Sequence, residues 1–143
     1  MITYDFLSPE TLYEEDVVPL RGLLEQLVKH PVDLDRERIL LIMGQARVLV
    51  ARNDERVIVG MASLYTIHLF TRTVGRIEDV VVDGSMRGQG VGRELMMRLM
   101  TEAKRLKISR LFLTSHPSRV EANQLYQKLG FETYETNVYR MDV

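Results

Sequence analysis

The sequence predicts a single α/β (α+β) domain spanning residues 1–143, with elements in the order β-α-α-β-β-β-α-β-α-β. Three observations carry this. Two β-rich runs, "ARVLVAR" and "RVIVGMASLYTIHL", flank the turn-like "NDE" as an antiparallel hairpin would. The apolar stretch "IEDVVVD" then runs through a glycine-rich turn into a segment of helical period. The length suits one hydrophobic core, burying about two-thirds of the unfolded surface.

Each element has its own local reason. Ile2 to Phe6 alternates as a short strand that Ser8-Pro9 ends. Val17, Leu20, Leu24, Leu27 and Val28 fall at three- and four-residue steps, with acidic residues ahead, Pro19 in the opening turn and Pro31 as the stop. Asp33 or Asp35 caps a shorter helix through about Met43, which Gly44 ends. After the hairpin and the break "FTRT", "GRIEDVVVD" is a further strand. Val91, Leu95, Met96, Leu99, Met100, Ala103 and Leu106 form one apolar face, with Arg93, Glu94, Arg98, Glu102 and Arg105 largely opposite. "RLFLTSH" reads as a strand, and Ser118 with Glu121 has capping-box spacing for a last helix that stops at Gly130. The tail "FETYETNVYRMDV" supplies one or two final strands.

Composition narrows the partners. Nineteen Lys+Arg against twenty Asp+Glu leave no global field for nucleic acid or an anionic membrane, so a small molecule or peptide is the better expectation. The absence of cysteine excludes disulfides, thiolate metal sites and a Cys nucleophile. His30, His68 and His116 lack ligand spacing, and no metal is expected. With no secretory signal or membrane-length apolar run, the expectation is a soluble, cytoplasmic protein.

The stretch Arg87 to Gly92 holds three glycines in five residues at a helix N-terminus. Unpaired backbone N–H groups and the positive end of the helix dipole make such a turn an anion site, and Arg87 adds a charged donor. No Lys-Ser/Thr pair follows, and the loop is not in a first βα turn, so neither a Walker loop nor a dinucleotide fingerprint fits. A phosphate-bearing ligand of another kind is indicated; the competing reading is a tight turn alone.

Arg87-Gly88-Gln89-Gly90-Val91-Gly92 resembles the Q/R-x-x-G-x-G/A signature of the GCN5-related N-acetyltransferases (GNAT). "IEDVVVD" is similar to that family's fourth strand, "RLFLTS" to its fifth, "EANQLYQKLGF" to its closing signature and "EEDVVPLRGLLEQL" to its opening helix. Gly84 and Ser85 depart from the family's frequent Pro and acidic or small residue. The resemblance implies a mixed, mostly antiparallel twisted sheet of six to seven strands with about four helices, splayed between strands 4 and 5. It implies acetyl-CoA as cosubstrate, with its pyrophosphate on the loop and first helical turn from Arg87 through Gly88, Gln89, Gly90, Val91 and Gly92 to Arg93. The pantetheine arm would pair with the backbone of Val80 and Val82, Val81 lying between, and Asn123 would contact the arm or a phosphate. A solvent-facing helix amide is the alternative for Asn123.

Acetyl transfer to an amine poses two proton problems. An amine of lysine type has a pKa of about 10.4 and must lose a proton before attacking. Glu78, placed by simple alternation on the face of Val80 and Val82, resembles the family's proton acceptor. An exposed strand carboxylate paired with Arg76 or Arg72 is the competing reading. The departing thiolate needs a proton, and Tyr126 matches the family's tyrosine in that role, against a half-buried aromatic with a satisfied hydroxyl. The resemblance thus implies an N-acetyltransferase acting on a primary amine of a small molecule or protein by direct attack in a ternary complex. The alternative is a non-catalytic acyl-CoA-binding or regulatory module of the same fold. The acceptor would meet Val32 to Met43 and Leu69 to Gly75, and a homodimer is compatible with the family.

Overall fold

The structure, a computed structural model, describes all residues 1–143. Its strands are β1 (Thr3–Phe6), β2 (Ala46–Arg52), β3 (Ile58–His68), β4 (Thr73–Val82) and β5 (Arg110–Phe112). They form one five-stranded sheet in chain order, antiparallel from β1 to β4, with β5 parallel to β4. The helices are α1 (Val17–Val28), α2 (Arg36–Met43), α3 (Val91–Arg105) and α4 (Val120–Lys128). None is long and apolar enough to cross a membrane.

Alternation along β2 divides the core between the two faces of the sheet. Leu49 and Ala51 join Leu64 and Ile77 against Val91, Leu95, Met96 and Leu99 of α3. Val48 and Val50 join Met61 and Val81 against Leu20 and Leu23 of α1 and Ile39 of α2. Leu95, Met96 and Leu99 are fully buried, each contributing about 1.5–3 kcal/mol of transfer free energy. The expected cap of α2 forms, Asp35 Oδ1 accepting from the Arg38 amide at 2.8 Å. Lys29, left-handed at φ 63°, ends α1 ahead of Pro31.

A bulge in β4 turns the strand over. Met61 pairs with Val81 and Ser63 with Glu78, so Ala62 faces both Asp79 and Val80. Asp79 accommodates the extra residue at φ 55°. Ile77 therefore packs on the α3 side, Val81 on the α1 side, and Val80 and Val82 return to the α3 side.

The sheet has five strands, where six to seven were expected. β5 covers only Arg110–Phe112 of "RLFLTSH", because its ladder to β4 stops at the Arg76–Phe112 pair. That stop is the expected splay between strands 4 and 5. The tail forms no strand, and no residue beyond Phe131 makes a backbone–backbone hydrogen bond. A strand needs a partner edge, and the tail's aromatic contact with β5 is Tyr134 edge-on to Phe112 at 5.9 Å. The capping box of α4 is absent as well, since Ser118 Oγ bonds His116 Nδ1 and Arg119 takes the cap position.

Candidate active site

The candidate site is the stretch where β4 runs on past the end of its pairing with β5. Asp83 N–H bonds the Val59 carbonyl of β3 at 2.8 Å, so by alternation the peptide groups of Val80 and Val82 point away from β3, into the gap. Two guanidiniums meet them: Arg119 Nη2 lies 3.4 Å from Val80 O, and Arg87 Nε 3.3 Å from Val82 O. Val81, between them, is core.

The glycine turn closes one end of the gap. Gly88 and Gly90 have φ of 76° and 81°, and a Cβ on either would meet nothing within 4 Å. Both observations describe a turn with open space beside it, in a conformation that only glycine adopts without strain. Gly90 caps α3 without a side-chain bond, leaving the first-turn amides of Val91, Gly92 and Arg93 for an outside acceptor. Arg87, Gln89 and Arg93 are exposed around it, while the Val91 side chain is core. Asp83 anchors the loop: Gln26 of α1 donates to its carboxylate at 2.8 Å and accepts from the Gly84 amide at 3.0 Å. Hydrogen bonds from Ser85 and then Gln26 hold the Asp83 carboxyl below its ordinary pKa. These residues fit a bound pyrophosphate and an extended arm.

Tyr126 is buried in the α3-side core, its ring edge-on to Phe131 at 6.2 Å. Burial pushes its phenol above the ordinary pKa, while the positive charge of Arg119 pulls it down. Asn123 is held within its own turn. Its Nδ2 donates to the His116 and Arg119 carbonyls at 3.0 and 2.9 Å, bracing the turn before α4.

Glu78 sits elsewhere than simple alternation places it. The bulge puts it on the face of Val81, opposite Val80 and Val82, where Arg76 binds its carboxylate. With Gly44, Gln45, Tyr65, Thr66, Ile67 and Arg76 it lines a cavity of about 580 Å³. Neither expected acceptor segment lines this cavity: Gly44 and Gln45 lie just past Val32 to Met43, no residue of Leu69 to Gly75 takes part, and His68 bonds Thr73.

Sequence reading missed two residues. Asp79 is left-handed and half-buried, with no hydrogen bond or ion pair on its carboxyl, and burial, then Glu78, raises its pKa. Its one signal was the apolar phase slip between Ile77 and Val80. Arg119 had no local signal, since its contact with Val80 spans 39 residues.

Comparison with known proteins gives the family and the fold. The chain is 40% identical over 89 residues to a glucosamine 6-phosphate N-acetyltransferase of Trypanosoma brucei brucei, covering 60% of this chain and 58% of that relative's length. An aminoalkylphosphonate N-acetyltransferase of Salmonella typhimurium is 30% identical over 125 residues, covering 82% and 80%. A crystal structure of a Trypanosoma brucei acetyltransferase superposes with a TM-score of 0.81 at 30% identity over both entire chains. The profile of the Acetyltransferase (GNAT) family matches residues 10–131, taking in the gap, the glycine turn and Tyr126, and on that ground the chain belongs to this family.

Proposed function

We propose that the protein is an acetyl-CoA-dependent N-acetyltransferase for a small primary amine carrying a phosphate-type anion, with glucosamine 6-phosphate as the first acceptor to test. The observation that carries the reading is the gap itself, two inward-facing peptides on β4 with an open glycine cradle at its end. Arg87 through Arg93 hold the pyrophosphate by backbone amides and the two arginines, and the Val80 and Val82 peptides hold the arm. The bound cosubstrate supplies an acetyl thioester. The printed activities of the trypanosomal and Salmonella relatives share an amine and a phosphate or phosphonate, which motivates the acceptor class.

Glu78 takes the amine's proton from the cavity side, oriented by Arg76. Tyr126 returns a proton to the leaving thiolate. The exposed tail supports a homodimer: Val138, Tyr139 and Met141 keep 76%, 87% and 82% of their surface in water, more than an isolated domain gains by exposing.

Calorimetric titration with acetyl-CoA, against ATP and 3′-dephospho-CoA, tests the cosubstrate, and release of CoA thiol with glucosamine 6-phosphate tests the acceptor. The chain's lack of cysteine keeps that thiol assay clean. Tyr126→Phe is expected to lower kcat on the order of 100-fold while leaving acetyl-CoA affinity nearly unchanged. Equal losses in both would remove Tyr126 from the acid role. Binding without turnover on a wide amine panel would favour the non-catalytic module.

A further inference from the structure

The cavity of about 580 Å³ beside Glu78 is lined by both signs of charge. Arg76 and Glu78 stand two residues apart on β4, before the bulge, so both side chains leave the same face of the strand. Only the Arg76 Nε is committed to the Glu78 carboxylate; the two terminal nitrogens of the guanidinium donate to nothing else in the chain. Held by one nitrogen and 44% exposed, the guanidinium presents a free fork of N–H donors, the geometry that meets a phosphate through two parallel bonds. Gln45, Tyr65 and Thr66 add neutral hydrogen-bonding groups to the same wall.

The order of residues along β4 gives the cavity a direction. Arg76 comes first, Glu78 next, and the bulge at Asp79 then brings the strand to Val80. Strand residues two apart are separated by about 6.6 Å, a span that one small molecule bridges. We propose that Arg76 is the specificity-determining residue for the acceptor: its free fork binds the phosphate or phosphonate of the incoming amine and so sets the amine beside Glu78, towards the thioester at Val80. This rests on the acetyltransferase reading above. An amine that lacks the anion leaves the fork without its partner, and a site built to hydrogen-bond a group discriminates against the analogue without it.

Two ligand pairs, each differing by the anion alone, test this: glucosamine 6-phosphate with glucosamine, and 2-aminoethylphosphonate with ethylamine. In calorimetric titrations of the whole chain with CoA present, the anionic member of at least one pair is expected to bind about 10- to 100-fold more tightly. Arg76→Gln is expected to erase that preference, and Arg76→Lys, a point charge without a fork, to keep part of it. Glu78→Gln is expected to keep it in full, because the guanidinium survives. In turnover with acetyl-CoA, Arg76→Gln is expected to lower the ratio of kcat/KM for the two members by the same factor. A residue that only orients Glu78 would slow both amines alike and leave that ratio unchanged. Since Arg76 is exposed, Arg76→Gln is expected to unfold near the wild-type Tm, which checks that the variant is folded. A preference that survives in Arg76→Gln overturns the proposal, as does a wild-type chain that binds both members of each pair equally or binds none. If acetyl-CoA is neither bound nor consumed, the acetyltransferase reading falls, and the calorimetric arm separately decides whether Arg76 holds the anion.

Discussion

Asp79 holds a non-glycine residue at φ 55°, on a bulge, with a half-buried carboxyl that meets no donor. Backbone in this region costs about 1–2 kcal/mol for an L residue, and Asp and Asn tolerate it best. Because burial raises its folded pKa, the neutral acid suits the fold better than the carboxylate. That contribution is complete below the unfolded pKa of about 3.9 and is lost as pH rises through the folded value. Asp79→Asn is therefore expected to raise Tm at neutral pH, with the gain shrinking towards zero near pH 3.5. A gain of equal size at both pH values would assign the effect to something other than the carboxylate. At this scale Arg87 and the glycines were legible because their types are unusual at a helix start, whereas Tyr126 was legible only through the family resemblance of its helix. Sequence reading misplaced Glu78, because one inserted residue inverts every face beyond it and no residue type announces a bulge.

The glycine turn works as an element because it is tied at one end and free at the other. Gln26 of α1 fixes Asp83 and Gly84, whereas Gly88 and Gly90 stand open. Gly90→Ala adds only backbone strain and is expected to lower stability by about 1–2 kcal/mol in thermal unfolding while acetyl-CoA still binds. Gly90→Glu adds a like charge where phosphates would sit, and the calorimetric Kd for acetyl-CoA is expected to rise on the order of 100-fold or more. Similar affinities for the two variants would mean that the turn is not the anion cradle. The turn and the helix behind it were legible because glycine spacing and the 3.6 period are local signals. The three-residue length of β5 was not, since it depends on where β4 diverges, about 35 residues away in the chain.

At the scale of the molecule, the tail is the portion that the rest of the chain does not use. Its residue types predicted strands, but a strand is a property of a pair, and no edge of this sheet reaches it. If a second copy covers the tail, the whole chain is expected to sediment as a dimer at micromolar concentration, and a chain cut after Phe131 as a folded monomer. A monomeric whole chain would end the dimer reading. The splayed sheet raises a similar difficulty within its own body, because the parting of β4 and β5 leaves mid-sheet carbonyls open to any extended polypeptide. Arg119 and Arg87 each cover one of them with a bulky cation. A foreign strand entering the gap would have to displace two guanidiniums and leave them facing its own peptide N–H groups, so the two arginine–carbonyl contacts also oppose aggregation of the chain through its own opening.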